Sequence, residues 1–170
     1  MKVRLNSLND GKQIISAALS AGDLSITEPE LESPVTVTLK IDKGASEIKI
    51  DGVVKTTVKL VCDRCLTSFS RAINGTFSVI ASFTHPELEV DDENMILIPP
   101  KANEINLNEH VHDTILLAIP MKILCREDCR GLCPTCGVNL NQTDCQCDIA
   151  EPDARWEPLK KLTLNVTEEK

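Results

Sequence analysis

The chain contains 170 residues, of which 18 are basic and 26 are acidic, so its formal net charge is −8 with neutral histidines. This charge argues against a general nucleic-acid binder, because such domains usually present a basic face. Three phenylalanines, one tryptophan and no tyrosine leave few rings on which single-stranded bases could stack. The 42% of hydrophobic and 26% of charged residues are typical of a folded domain.

The N-terminal region contains a short strand pattern and then a short apolar stretch. Val3 and Leu5 alternate with polar residues, which indicates a first strand. Residues 14–19 resemble the core of a secretory signal, but the segment before them is polar and contains aspartate. No stretch approaches the ~20 apolar residues of a membrane span. We therefore expect a cytoplasmic protein that does not contact a membrane.

The middle of the chain follows the period of two that is typical of strands. Apolar side chains occupy every second position of residues 35–41, which predicts a half-buried strand. The same period continues over residues 47–62, where Gly52 interrupts it and predicts a bulge or tight bend. Further strands are expected at about residues 69–83 and at 95–98. Together these patterns predict an antiparallel, curled β-sheet.

The period then changes to that of a helix. Residues 87–93 are acidic and are expected to form a solvated loop. Helical spacing predicts a helix at 108–119 that Pro120 stops, and its apolar face combines Leu107, Val111, Ile115, Leu116 and Ile119. The predicted fold class is therefore α+β, with a β-rich core at residues 1–120 that includes one main helix.

Two further segments are expected after this core. Residues 121–150 form a cysteine-rich segment that is predicted to contain a small zinc knuckle. Residues 151–170 form an amphipathic tail, whose apolar anchors are Trp156, Leu159, Leu162 and Leu164.

Eight cysteines form four close pairs: Cys62/Cys65, Cys125/Cys129, Cys133/Cys136 and Cys145/Cys147. In a reducing cytoplasm, clustered cysteines usually hold metal. Two cysteines two residues apart on a tight turn can bind one ion, and Gly137 permits the backbone conformation that relaxes such a turn. Because zinc takes four ligands in a tetrahedron, the pairs predict one or two structural zinc ions.

The four pairs can be sorted into two sites in three ways. We favour one site made by the last two pairs, since only a short loop separates them. The first two pairs would then join the tip between two long strands to the segment after the helix. One shared site with some free thiols is an alternative.

Other chemical roles for the cysteines are less well supported. A thiol oxidoreductase could use Cys62 and Cys65, but a strand tip supplies no helix N-terminus to lower a thiol pKa, and Asp63 opposes the effect of Arg64. Ligation by four thiolates leaves no open position for water, which favours a structural zinc over a catalytic one. The sequence contains no phosphate-binding glycine loop and no nucleophile elbow, so we expect neither an enzyme nor a small-molecule substrate.

The order of several motifs is specific. A strand that ends in Cys62-Asp-Arg-Cys65-Leu66 is followed by Asn106-Leu107, by Ile115-Leu-Leu-Ala-Ile-Pro120 and by the cysteine-rich run from Leu124 to Gly137. Asn139-Leu140-Asn141 and Asp153-Ala-Arg155 then precede Leu159-Lys-Lys-Leu162. This order resembles the YceD family, the large ribosomal RNA subunit accumulation proteins of bacteria and plastids.

The resemblance implies a role in the accumulation of 23S ribosomal RNA, and hence in biogenesis of the large ribosomal subunit. It identifies no catalytic residue. Some family members lack most of the C-terminal cysteines, which supports a structural role for the metal over a catalytic one. A zinc-ribbon module that binds nucleic acid or regulates another pathway is the alternative function, followed by a dithiol redox protein.

Two kinds of partner fit the resemblance. The net charge of −8 and the acidic residues 87–93 favour a basic ribosomal protein or assembly factor, because opposite fields speed association. Alternatively, the chain contacts the large-subunit RNA precursor directly through a local basic face, for which the candidate residues are Arg64, Lys122, Arg126 and Arg130.

Overall fold

The computed structural model describes residues 1–83, 95–99, 101–147 and 155. The chain divides into two compact units, Met1–Cys129 and Arg130–Lys170. The predicted acidic loop at residues 87–93 lies outside the described residues, and so does the predicted tail at 151–170 apart from Arg155. Within the described residues, no helix has the length and apolarity that a membrane span requires.

In the described part of the chain, the first unit contains all of the extended strands and the helix. The elements are β1 (Lys2–Arg4), β2 (Gly11–Leu19), β3 (Glu30–Leu31), β4 (Val35–Lys43), β5 (Glu47–Val61), β6 (Ser68–Ser82), β7 (Met95–Leu97), β8 (Glu104–Asn106) and α1 (Asn108–Leu117). The predicted combination of a mainly antiparallel sheet with one helix is confirmed.

Six of the strands form one open sheet in the order β2-β4-β5-β6-β7, with β3 paired to β5. All pairs are antiparallel except β6 with β7, which is parallel. Strands β1 and β8 form a separate two-stranded sheet. Among the described residues, the edge strands β2 and β7 are not paired with each other, so the sheet is not a closed barrel. The predicted curl of the sheet stays a prediction.

The predicted bulge at Gly52 is wrong. The register of β5 runs through Gly52 without interruption, opposite Leu39 on β4 and Phe77 on β6. A Cβ atom on Gly52 would lie 2.3 Å from the Phe77 ring. The glycine therefore makes room for a ring from the neighbouring strand, and the pattern of a single strand does not reveal such a requirement.

The apolar stretch at residues 14–19 belongs to β2, which pairs with β4 along its whole length. Half-buried and exposed residues alternate along β2, and the Ile14 side chain is 68% exposed. Apolar residues thus lie on both faces of this edge strand. That is why the strand pattern was hidden and the stretch resembled a signal sequence.

Helix α1 packs on β6 close to the main core. Val111 and Ile115 are fully buried, and a Cβ atom on Gly75 of β6 would lie 2.5 Å from Cγ2 of Thr114. The helix ends at Leu117, two residues before the predicted end. A residue before proline avoids the helical region, which accounts for the exclusion of Ile119 from the helix. The sequence predicted that Leu116 belongs to the apolar face of the helix, but its side chain is 37% exposed and lies outside the buried face.

Candidate metal centres

The structure gathers the eight cysteines into two groups of four. Tetrad A, in the first unit, consists of Cys62, Cys65, Cys125 and Cys129, and tetrad B, in the second unit, consists of Cys133, Cys136, Cys145 and Cys147. Within each tetrad the Sγ atoms all lie within 4.8 Å of one another. None of the eight thiols is in a disulfide. The grouping is the one that the spacing of the pairs favoured.

The sulfur positions in tetrad A have the dimensions of a tetrahedral metal site. Metal–sulfur bonds of about 2.3 Å in a tetrahedron give sulfur–sulfur edges of about 3.8 Å. The Sγ atoms of Cys62 and Cys129 are 3.8 Å apart, and those of Cys65 and Cys125 are 3.7 Å apart. Cys62, Cys65 and Cys129 are buried. Tetrad A could therefore hold a metal ion away from solvent.

Tetrad B has shorter edges and is more open to solvent. The Sγ atom of Cys145 lies 3.5 Å from that of Cys136 and 3.4 Å from that of Cys133. Cys133 is buried, Cys136 is exposed, and the other two cysteines are half-buried. Four sulfur ligands suit zinc or iron, so both tetrads offer the same donor chemistry in different surroundings.

The first turn of tetrad A is built at the tip of the hairpin between β5 and β6. The N–H of Leu66 donates to the Cys62 carbonyl at 2.9 Å, and the N–H of Cys62 donates to the Thr67 carbonyl at 3.0 Å. Leu66 has a φ of 57°, in the left-handed region that leucine rarely adopts. The sequence contained no signal for this conformation, because nothing distinguishes Leu66 from an ordinary exposed residue.

The first turn of tetrad B repeats these hydrogen bonds at equivalent positions. The N–H of Gly137 donates to the Cys133 carbonyl at 2.9 Å, and the N–H of Cys133 donates to the Val138 carbonyl at 2.8 Å. Gly137 has a φ of 74°, the conformation for which a glycine was expected there. Two separate segments thus form the same Cys-X-X-Cys turn, one with leucine and one with glycine at the left-handed position.

Backbone N–H groups favour the thiolate form of Cys62 in tetrad A. Burial opposes ionisation of Cys62, but the N–H groups of Cys125, Cys65 and Arg64 outweigh it and lower the pKa of Cys62 to about 6. Burial and the neighbouring thiols raise the pKa of Cys125 to about 12. The arrangement therefore places N–H donors where a thiolate ligand needs them.

Tetrad B likewise contains one cysteine with a lowered pKa and one with a raised pKa. The N–H groups of Cys136 and Thr135 lower the pKa of Cys133 to about 6. Hydrogen bonds with the thiols of Cys145 and Cys136 raise the pKa of Cys147 to about 12. In both tetrads, backbone N–H groups lower the pKa of the first cysteine of the Cys-X-X-Cys turn to about 6.

Further contacts hold the hairpin tip against the segment that follows α1. The N–H of Asp63 donates to the Ile123 carbonyl at 2.8 Å, and the N–H of Ile123 donates to Oδ2 of Asp63 at 2.7 Å. Nη1 of Arg64 donates to the Cys129 carbonyl at 2.8 Å. The two residues between Cys62 and Cys65 therefore connect the same two segments as the cysteines do. Sequence reasoning missed this role of Asp63.

The predicted RNA-binding residues lie in both units. Around tetrad A, Arg64 contacts backbone carbonyls, Lys122 is exposed, and Nε of Arg126 lies 3.5 Å from Oδ1 of Asp128. In the second unit, Nη1 of Arg130 lies 3.3 Å from a carboxylate oxygen of Asp144. Three of the four cations thus already have partners within the chain, and contact with RNA stays a prediction.

The family model described as large ribosomal RNA subunit accumulation protein YceD matches residues 50–163, which include all eight cysteines. The chain belongs to the YceD family. The predicted family membership is therefore confirmed.

Curated relatives in plants and bacteria are similar to this YceD chain. It is 30% identical over 156 residues to the large ribosomal RNA subunit accumulation protein YCED homolog 1, chloroplastic, of Arabidopsis thaliana, which covers 76% of this chain and 49% of the relative. The Zea mays protein of the same name is 26% identical over 171 residues, and the match covers 84% of this chain and 58% of the relative. An uncharacterized protein of Mycobacterium tuberculosis is 28% identical over 135 residues, and the match covers 73% of this chain and 59% of the relative. The chain spans about half the length of these relatives. No solved structure matches.

Proposed function

We propose that this YceD protein is a non-enzymatic factor that acts in the cytoplasm and supports accumulation of 23S ribosomal RNA, and thereby biogenesis of the large ribosomal subunit. The observation that carries the proposal is the family match over residues 50–163. The names of the plant relatives specify ribosomal RNA accumulation and no chemical reaction.

Within this function, we propose that tetrads A and B each bind one structural zinc ion. Four thiolates complete the coordination of zinc and exclude the water that a catalytic zinc needs. A zinc ion in tetrad A would fasten the β5–β6 hairpin to the segment after α1. Cys62 and Cys65 are both buried within a group of four thiols, which supports metal binding over dithiol exchange.

The contacts of the basic residues bear on the choice of partner. Arg64 and Arg126 already bind carbonyl or carboxylate oxygens within the first unit, which weakens the case for a free basic face around tetrad A. The net charge of −8 supports a basic ribosomal protein or assembly factor as the direct partner. The large-subunit RNA precursor would then be affected indirectly.

Depletion of the protein from growing cells tests the function. We expect the ratio of 23S to 16S ribosomal RNA to fall, and the wild-type chain to restore it. An unchanged ratio in fully depleted cells would contradict the proposed function.

A tagged pull-down at low salt, with and without nuclease, identifies the class of partner. We expect a ribosomal protein or assembly factor to survive nuclease treatment, with two zinc ions per chain in the same eluate. Loss of every partner after nuclease treatment would instead support direct RNA contact. An eluate without zinc would contradict the structural role of the metal.

A further inference from the structure

Within the described residues, the outer edge of β6 is unpaired along most of its length. Strand β5 covers the other edge over all 15 residues, whereas β7 pairs only with Ile80, Ala81 and Ser82. Among the described residues, no strand pairs with the outer edge of residues 68–79. An open strand edge offers a row of unpaired N–H and C=O groups to an added strand.

The hydrogen bonds next to β6 show which of its residues face outward. The N–H of Cys62 donates to the carbonyl of Thr67, which precedes β6. Because hydrogen-bonding direction alternates in an antiparallel pair, odd-numbered residues of β6 bond to β5 and even-numbered ones turn their backbone groups outward. Ser82 agrees with this assignment, since its carbonyl accepts the N–H of Ile98 at 2.8 Å.

A groove of about 1240 Å³ adjoins the open edge. Residues 74–78 of β6 line one side, and β7 and α1 supply the others. The outward-facing residues Asn74, Thr76 and Ser78 fall within this stretch. The groove therefore combines unpaired backbone groups with space for the side chains of an extended segment.

The groove is lined by uncharged polar residues together with exposed apolar and acidic ones. Leu97 is 45% exposed and Leu117 is 85% exposed, so both present apolar surface to solvent. The charged residues of the lining are Glu109 and Asp113, and no lysine or arginine is among the described residues that line it. This chemistry complements a basic segment that also carries apolar side chains.

We propose that the groove binds an extended, basic segment of a partner protein, which adds to the outer edge of β6 as a further strand. Its basic side chains face α1 and lie near Glu109 and Asp113. Its alternate apolar side chains point to the other face of the sheet, where Leu97 is exposed. Backbone hydrogen bonds to residues 74–78 supply affinity in this mode of recognition, and the flanking side chains supply specificity. The proposal deepens the proposed function, because it rests on a basic protein as the direct partner.

Binding of a labelled decapeptide of alternating lysine and valine tests the proposal by fluorescence anisotropy at low salt. We expect the full chain to bind this peptide and not the same peptide with glutamate in place of lysine. Thr76→Pro removes an outward N–H and obstructs the edge, and we expect it to weaken binding by at least about tenfold. The double variant Glu109→Gln, Asp113→Asn should weaken binding by about fivefold.

The double variant Asp42→Asn, Glu47→Gln is a matched control, since it removes two exposed carboxylates outside the groove and changes the net charge equally. We expect it to bind as the wild type does. Equal weakening by both double variants would overturn the proposal in favour of bulk charge. Failure of the wild type to bind the lysine peptide would overturn it as well.

Two other occupants of the groove are separate outcomes. Sedimentation that shows a dimer, lost in Thr76→Pro, would assign the groove to a second copy of the chain and overturn the proposal. Displacement of the peptide by a labelled RNA oligonucleotide would do the same in favour of RNA. Peptide binding with an unchanged 23S ratio in depleted cells would overturn only the proposed function. A lowered 23S ratio in depleted cells without peptide binding would overturn only the proposal that the groove binds a basic segment.

Discussion

Tetrads A and B each contain four thiols and the same first turn, but they are built into different parts of the chain. In tetrad A, Cys65 and Cys125 are 60 residues apart in sequence, and the tetrad joins a sheet hairpin to the segment after a helix. In tetrad B, Cys136 and Cys145 are only 9 residues apart. A metal ion bound by tetrad A would therefore cross-link distant parts of the first unit, whereas one bound by tetrad B would close a short loop in the second.

The difference predicts unequal contributions to stability. A cross-link that closes a long loop restricts the unfolded chain more than one that closes a short loop. Tetrad A also keeps three of its thiols buried, whereas tetrad B keeps one. Metal binding to a site that exists only in the folded chain adds to the free energy of folding. We therefore expect the first unit to depend on its metal and the second unit to bind its metal more loosely.

The largest expected effect is on thermal unfolding. Cys62→Ser removes a buried ligand of tetrad A, and a loss of about 4 kcal/mol would lower the Tm of the main transition by about 10 °C. Cys145→Ser in tetrad B should shift it by less than about 2 °C, because the described strands and helix all belong to the first unit. Circular dichroism measures the transition, and metal analysis checks that each variant loses one ion. Equal Tm shifts in the two variants would contradict the expectation that tetrad A contributes more to stability than tetrad B.

A smaller effect is expected on the rate of metal release. With an excess of a chromogenic chelator, we expect two phases, with tetrad A at least about tenfold slower because its thiols must first be exposed by local opening. Absorbance of the metal–chelator complex follows the release. Cys62→Ser should retain only the fast phase and Cys145→Ser only the slow one. A single phase in the wild type would argue against the difference in exposure.

The smallest effect concerns the left-handed residue of each turn. Gly137→Ala should weaken metal binding at tetrad B by about 1 kcal/mol through backbone strain alone, since a Cβ atom there meets nothing within 4 Å. Leu66→Gly relieves that strain at tetrad A and should leave stability equal or higher by up to about 1 kcal/mol. Metal competition measures the first change and urea unfolding the second. Destabilisation by Leu66→Gly would show that the leucine side chain stabilises the turn.

Much of the sheet could be predicted because alternation along one strand is a local property. Residues 35–41 and 47–61 show it clearly, and their apolar members are buried as expected. The bulge predicted at Gly52 failed because the reason for the glycine, the ring of Phe77, lies on another strand. β2 was missed because the alternation of an edge strand is weaker when both of its faces carry apolar residues.

The sequence by itself determined the ligand chemistry of the two centres. The spacing of the cysteines is local, so a tight turn brings each close pair together whatever the rest of the chain does. The glycine at position 137 is likewise a local requirement, and its φ of 74° agrees with the turn that its position predicted.

Only the tertiary structure decided which elements tetrad A joins and what surrounds it. The contact of Asp63 with Ile123 and the groove beside β6 both depend on segments that are distant in sequence. Packing of the helix and register of the sheet set these distances. They follow from the sum of many weak contacts across the fold, which no local pattern of residues records.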